Sequence, residues 1–305
     1  MQVLDKVRNF IDKNLTATVY YPHEEMKKHT TFKTGGPADL LVEPGRITEL
    51  QQLIQYVRQE KIPYLIIGRG SNLIVGDKGI RELVIKIGKK LSRCEVKGEE
   101  VTAEAGAAII DVAQAAQAHA LTGLEFAGGI PGSVGGAVFM NAGAYDGEIK
   151  DVLEDVLVLT VSGELTVRKK EELALGYRTS LMQKNGDIIL QAKFKLQKGD
   201  QAAIDLRMRE LKQRREKSQP LDLPSAGSVF KRPPGYYTGK LIQDAGLKGC
   251  QIGGAQVSPK HAGFIVNTGK ATSSDIVNLI RHIQAEVKKL FGVELETEVR
   301  IIGEF

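Results

Sequence analysis

Two glycine-rich stretches are the first residues of this chain whose types and spacing point to chemistry. Gly68-Arg69-Gly70-Ser71-Asn72 follows the apolar run Tyr64-Leu65-Ile66-Ile67. Gly128-Gly129-Ile130-Pro131-Gly132-Ser133-Val134-Gly135-Gly136 leads into Ala137-Val138-Phe139-Met140-Asn141-Ala142-Gly143. Glycine lets backbone approach a ligand closely or take positive φ, and successive N–H groups then form a cradle for an anion. Neither stretch is a standard nucleotide fingerprint. A Rossmann loop would have glycine where this sequence has Leu73, and Gly239-Lys240 is followed by Leu241 and lacks the partner glycine of a P-loop. Each loop alone reads as a plain turn. Together, with no charge over the 20 residues from Phe126 to Tyr145, they read as the cradle of a large ligand carrying a diphosphate.

Other chemistries are poorly supplied. Cys94 and Cys250 lie far apart with no CxxC pair, which argues against a disulfide framework and for a reducing compartment. The histidines, His23, His29, His119, His261 and His282, form no HExxH or short-spaced cluster, so no metal is expected. The net charge is +5, and the segment from Asp205 to Lys217, with six basic and three acidic residues, supplies +3 of it. That segment reads as a solvated helix face. A nucleic-acid stripe would need interleaved aromatics and a second basic element. Six glycines and Pro131 within the uncharged stretch exclude a membrane helix there, and the N-terminus has no basic start ahead of an apolar run, so no signal peptide is expected.

The elements that must position the loops alternate in type. Residues 3–14 form an amphipathic helix, and a strand runs through Leu40-Leu41-Val42. Thr48 with Gln51 makes a capping-box start for a helix to about Lys61, and Pro63 opens the next strand. Leu83–Lys86, Cys94–Val96 and Val101–Ala103 read as antiparallel strands, followed by an Ala-rich helix over Ile109–Ala120. Strands return at Val156–Val161, Glu164–Arg168 and Ile188–Leu196. Asp200 caps the basic helix, and Ser218–Pro224 is the best domain boundary. After Thr272, Ile276, Ile280, Ile283, Val287 and Phe291 stand three or four apart on a helix stopped by Gly292, and a final strand spans Val293–Ile302.

The paired glycine loops resemble the FAD-binding domain of the vanillyl-alcohol-oxidase type. Five further blocks narrow the resemblance. They are Gly176-Tyr177-Arg178-Thr179-Ser180, the run Ser225–Pro233, Gly253–Ser258, Lys260-His261-Ala262-Gly263-Phe264, and Leu295–Gly303. In order from about Thr30 to Gly303, these are similar to the UDP-N-acetylenolpyruvoylglucosamine reductase family.

The resemblance implies that NADPH reduces a non-covalent FAD. The flavin then reduces the enolpyruvyl ether of a UDP-sugar to a D-lactyl ether, giving UDP-N-acetylmuramate for peptidoglycan in the cytoplasm. It implies FAD contacts from Gly68, Arg69, Gly70, Ser71, Asn72, Gly129, Ile130, Pro131, Gly132, Ser133, Gly135, Gly136 and Asn141. No histidine lies in either loop, so covalent flavin attachment is not expected. Substrate contacts are implied for Tyr177, Arg178, Lys231, Arg232, Tyr236 and Tyr237.

The chemistry can be stated independently. Hydride delivered to the β-carbon leaves negative charge at the α-carbon, spread into the carboxylate. The site must stabilise that enolate and then protonate carbon. The resemblance gives the first task to Arg178, whose fork matches a carboxylate. It gives proton donation to Ser228 and assistance of the enol to Glu298. The plainer alternatives are a surface arginine on a turn, a serine in turn chemistry beside Gly227, and one solvent-facing edge formed by Glu294, Glu296 and Glu298.

Two departures matter. One class of the family has a long loop whose tyrosine clamps the UDP diphosphate, but here only Gln197-Lys198-Gly199 separates Leu196 from Asp200. The chain resembles the shorter class. Arg232 also stands where the longer class has an asparagine, and with Tyr236 or Tyr237 it is expected to take over part of the clamp.

The expected fold is therefore α+β, a three-domain flavoprotein. Residues 1–80 and 81–217 form the two-part FAD-binding domain, and 218–305 form a substrate domain. The expected partners are the UDP-sugar and NADPH, with no nucleic acid and no membrane insertion, in a monomer or weak oligomer. The rivals are a flavin-dependent sugar or alcohol oxidase on the same fold and a non-catalytic UDP-sugar binder.

Overall fold

A computed structural model describes residues 2–305. Contacts divide the chain into two compact units, and neither is continuous in sequence. The first gathers residues up to Tyr21, Leu40–Arg69 and Glu82–Arg214; the second gathers Pro22–Asp39, Gly70–Arg81 and Arg215–Phe305. This grouping differs from the contiguous spans 1–80, 81–217 and 218–305, because the second unit draws two segments from the N-terminal part of the chain. Its last crossing, Arg214 to Arg215, lies just before the Pro-containing segment expected to be a boundary. Among the described residues no helix is long and apolar enough to cross a membrane.

In the first unit, helix Gln2–Asn14 buries Val7 and Ile11, one turn apart, and Leu15 follows just beyond its end. Helix Ile47–Gln59 buries Leu50, Leu53, Ile54 and Val57 against the same core. It begins two residues earlier than expected. Arg46 is its N-cap, with no side-chain cap, so Thr48 and Gln51 form no capping box. The first-turn carboxylate is engaged elsewhere. Glu49, buried, accepts from Ala17 N at 2.9 Å and Thr18 Oγ1 at 2.7 Å.

Strand Tyr64–Ile67 pairs in parallel with Leu83–Lys86, in register Tyr64 to Leu83. The expected antiparallel arrangement is therefore corrected for Leu83–Lys86, because residues 68–79 supply the long connection that a parallel pair needs. It holds for Cys94–Lys97 with Glu100–Glu104. That hairpin is one edge of a five-stranded antiparallel sheet, ordered 165–169, 153–159, 188–195, 100–104, 94–97. Helix Ile109–Ala118 buries Ile109, Val112, Ala113 and Ala116 in the core that this sheet shares. The basic helix, Gln201–Ser218, starts at Asp200, whose Oδ1 accepts from Ala203 N at 2.8 Å.

The second unit has its own core, in which Phe32 and Ile74 join Val229, Ile242, Val257, Ile276 and Ile280. Helix Ser273–Phe291 begins with a full capping box between Thr272 and Asp275 and ends at Gly292 in the left-handed region. Of its expected apolar stripe, Phe291 alone is exposed. The final strand is shorter than expected. Only Arg300–Ile302 is regular, and it pairs in parallel with Leu73–Val75. Before it, the ladder to residues 229–231 comprises the Phe230–Thr297 bridge and its flanking bonds. Gly227, at φ +75°, bounds that partner segment on one side, and Pro233-Pro234 bounds it on the other. Proline offers no N–H to extend a ladder.

Candidate active site

In the first unit, strand Tyr64–Ile67 delivers Gly68 against the second glycine loop. A Cβ on Gly68 would overlap the Ser133 hydroxyl, so the two loops pack together only because residue 68 has no side chain. Ser133 is buried and N-caps helix Val134–Phe139, its Oγ accepting from Gly136 N at 3.3 Å. The loop backbone is fixed from below. Ile109 N donates to Gly132 O at 3.1 Å, Val134 N to Ala107 O at 2.9 Å, and Gly135 N to Ala105 O at 2.9 Å.

Gly136 differs from these neighbours. It is exposed, and a Cβ there would meet nothing nearer than Ser133 Oγ at 3.4 Å. The protein's own packing does not require glycine at 136. Bare backbone at the first turn of a helix is what close approach of an anionic group requires. By this test the residues present fit the diphosphate of FAD. Pro131 and Arg69 are exposed beside their loops, and Gly129 and Ile130 are half-buried.

Asn141, expected at the cofactor, lies just beyond the helix that follows the second loop. It is fully buried, with φ +41°, and its side chain is engaged by protein at every polar position. Nδ2 donates to Glu148 Oε2 at 2.7 Å and Gly176 O at 2.9 Å, while Oδ1 accepts from Lys150 N at 2.9 Å. An amide has two donors and one carbonyl oxygen, and this one has a protein partner for each. The side chain is thus tied to the protein through both of its donors and its carbonyl oxygen.

The carbonyl that Asn141 grips begins the turn carrying Arg178. Gly176 and Thr179 exchange both backbone hydrogen bonds, at 3.2 and 3.3 Å, which leaves Tyr177 and Arg178 at the tip. Arg178 has φ +55°. This region is ordinarily taken by Gly or Asn, and holding another residue there costs about 1–3 kcal/mol. Its Nη2 donates to Gly143 O at 3.3 Å, and its guanidinium lies 5.2 Å from the centre of the Tyr177 ring. The guanidinium is thus aimed along the Gly143–Glu148 hairpin.

In the second unit, Gly70 completes the first loop. Its φ is +66°, and a Cβ would strike the His29 carbonyl, so this glycine serves the protein's own packing. Ser71 and Asn72 follow, half-buried. Ser228 and Glu298 are brought onto adjacent backbones. Ser228 bridges to Phe264, and its neighbour Val229 accepts at its carbonyl from Glu298 N at 2.8 Å. The three glutamates are not one solvent-facing edge. Glu294 and Glu296 are exposed and paired with Lys288 and Lys231, at 2.6 and 2.5 Å, whereas Glu298 is half-buried. Ser228 itself is exposed.

Lys231 is thus partnered by Glu296. Arg232 stacks 3.9 Å over the Tyr237 ring, and its Nε donates to Tyr236 O at 3.1 Å. This forms an exposed cationic and aromatic cluster of the residues expected at the diphosphate. Lys260 donates to Glu216 O at 2.5 Å, and His261 accepts from Gly263 N at 3.1 Å, so both have structural partners. Burial pushes the His261 imidazole below its ordinary value, and Lys248 adds to the shift. Sequence reasoning missed Gly143, Glu148 and Gln183, which hold the Arg178 turn through bonds to Arg178, Asn141 and Phe139 that no local pattern announces.

Residues 38–168 match the FAD binding domain family. Residues 219–302 match the family described as UDP-N-acetylenolpyruvoylglucosamine reductase, C-terminal domain. The chain is 54% identical to the UDP-N-acetylenolpyruvoylglucosamine reductase of Caldanaerobacter subterraneus subsp. tengcongensis, over 93% of this chain and 94% of the relative. It is 50% identical to that of Alkaliphilus oremlandii, over 99% and 100%. Among solved structures, the UDP-N-acetylenolpyruvylglucosamine reductase of Thermus caldophilus is similar, with a TM-score of 0.80 and 37% identity, covering 93% of this chain and 98% of that one.

Proposed function

The chain belongs to the UDP-N-acetylenolpyruvoylglucosamine reductase family, and from that we propose that it reduces the enolpyruvyl ether of its UDP-sugar to UDP-N-acetylmuramate for peptidoglycan synthesis. It is an FAD-dependent oxidoreductase with NADPH as co-substrate. FAD, when bound, accepts reducing equivalents from NADPH and passes hydride to the β-carbon of the substrate. In our reading Gly68, Ser133 and Gly136 form the part of the protein that lies against its diphosphate. The spans 1–80 and 81–217 carry cofactor binding, and 218–305 carries the sugar nucleotide. The enzyme works in the cytoplasm as a monomer or weak oligomer.

Arg178 holds the substrate carboxylate. As negative charge develops on the α-carbon and spreads into that carboxylate, a guanidinium already fixed by its turn stabilises it without reorganising. Ser228 donates the proton that the α-carbon needs, and Glu298 assists the enol form. A serine hydroxyl is a weak acid, so a carboxyl group on the adjacent backbone is the natural partner to manage the charge. Arg232, with Tyr236 and Tyr237, holds the UDP diphosphate together with Lys231.

The observation that carries this reading is the bond from Glu298 N to the carbonyl of Val229, the residue next to Ser228. It brings together two groups otherwise explained as a turn serine and a surface glutamate. The test is anaerobic. The purified protein should be yellow, bleach on addition of NADPH, and recover its oxidised spectrum when the enolpyruvyl UDP-sugar is added. Bleaching without recovery would refute the assignment, and rapid oxygen consumption with a sugar or alcohol would favour an oxidase.

A further inference from the structure

We propose that Asn141 is a positioning residue for Arg178 rather than a ligand of the cofactor. The inference rests on the role proposed above for Arg178 in substrate reduction. The segment from Ser133 to Asn141 is both the end of the cofactor loop and the platform of the Arg178 turn. At one end of the turn the Asn141 amide donates to Gly176 O at 2.9 Å. At the other, Phe139 O accepts from Ser180 Oγ at 2.7 Å and Gln183 Nε2 at 2.8 Å, and the same Gln183 amide donates to Arg178 O at 3.1 Å. The backbone on both sides of Arg178 is therefore bolted to the six-residue helix Val134–Phe139 and the residues just after it.

The side chain is guided by the same amide. Arg178 Nη2 donates to Gly143 O, and the hairpin that begins at Gly143 is tied back to Asn141 through Glu148. One amide thus holds the strained turn and also the hairpin whose other strand supplies the arginine's acceptor. Left-handed backbone at a non-glycine residue persists only where its surroundings over-determine it. Here Asn141 is the buried residue that links both restraints. It is buried, and both of its donors and its carbonyl oxygen are engaged within the protein, so loosening it loosens the turn that carries the guanidinium. A displacement of about 1 Å in a group that binds the reacting atoms costs about 100-fold in rate.

The test is Asn141→Asp, which keeps the acceptor for Lys150 N, removes both donors and places a second carboxylate beside Glu148. We expect flavin content and NADPH bleaching to stay near wild type, while reoxidation by the enolpyruvyl UDP-sugar slows about 10- to 100-fold. In an Arg178→Ala background the same change should have little further effect on reoxidation, because the two act through one group. Glu148→Gln, which keeps a carbonyl acceptor for the amide, should retain both half-reactions.

Equal loss of bleaching and reoxidation in Asn141→Asp would overturn the proposal in favour of a cofactor role, and so would full additivity with Arg178→Ala. If Asn141→Asp yields no folded protein, Glu148→Ala on a half-exposed residue loosens the same amide. It should slow reoxidation selectively, by less than Asn141→Asp does, and no selective slowing would overturn the proposal equally. Failure of the wild-type protein to reoxidise at all would count against the proposed function, a result distinct from any of these.

Discussion

Asn72 donates its side-chain amide to the carbonyl of Glu298 at 3.0 Å, and Arg300 N returns a bond to the carbonyl of Asn72 at the same distance. The end of the first glycine loop is thereby locked in register with the carboxylate proposed to assist the enol. Asn72→Ala removes one arm of that lock. It is expected to cost about 1 kcal/mol in a urea melt and to lower kcat more than it changes KM. Unchanged kcat would show that the Val229 pairing alone sets the position of Glu298.

Ser228→Ala should leave bleaching by NADPH intact and slow reoxidation by the enolpyruvyl UDP-sugar by about 100- to 10,000-fold, the range for loss of a positioned acid. Stopped-flow spectra of the two half-reactions decide it. Equal loss in both would mean that Ser228 serves the turn after Gly227 and not the chemistry.

Arg178 stores backbone strain that Asn tolerates better. Arg178→Asn is expected to leave stability unchanged or to raise it by up to about 1 kcal/mol, while turnover falls at least about 100-fold. Thermal melts and steady-state rates on one preparation make the comparison. A variant that loses stability in step with activity would show the arginine to be a structural part of its turn.

Arg232→Ala should raise KM for the UDP-sugar about 10-fold with kcat nearly unchanged, the pattern of an interaction made equally in ground and transition states. The stacked Tyr237 ring would lose its cation, so Tyr237→Ala should act in the same direction. An unchanged KM in Arg232→Ala would remove this cluster from substrate binding.

His261 gives the acid limb of stability. Burial holds its folded pKa below the ordinary 6.5, so between the folded value and 6.5 the unfolded chain binds the proton and the folded one does not. Stability is therefore full above about 6.5 and falls as pH drops through that window. In urea melts across pH, His261→Gln should flatten that slope. An unaltered slope would assign acid sensitivity to other groups.

Much of this was legible in the chain, and the reasons are local. The helix after Thr272 announced itself through its three-and-four spacing and Gly292, each of which acts within a few residues. The glycine loops declared a cradle, and the later blocks named the family. What escaped was set by partners far away in sequence. Thr48 looked like a cap, but the first-turn carboxylate of that helix was already engaged by Ala17 and Thr18. Asn141 looked like part of the cradle until Gly176, Glu148 and Lys150 accounted for every polar atom of its side chain. Parallel pairing of Leu83–Lys86 could not be read from its alternation, because period two is common to both kinds of sheet.

The interleaving of the two units has a consequence for synthesis. By the time Arg214 has been made, every residue of the first unit exists, whereas Pro22–Asp39 and Gly70–Arg81 still lack their partners. Phe32 and Ile74, both fully buried in the finished second core, have nothing to bury against until Arg215–Phe305 emerges from the ribosome. Leu73–Val75 likewise waits for Arg300–Ile302. The nascent protein is thus expected to carry two apolar segments in search of a core for the time needed to translate some ninety codons, on the order of 5–20 s. Chains truncated after residue 217 should bind hydrophobic dyes and chaperones, and a fragment starting at 218 should not fold alone.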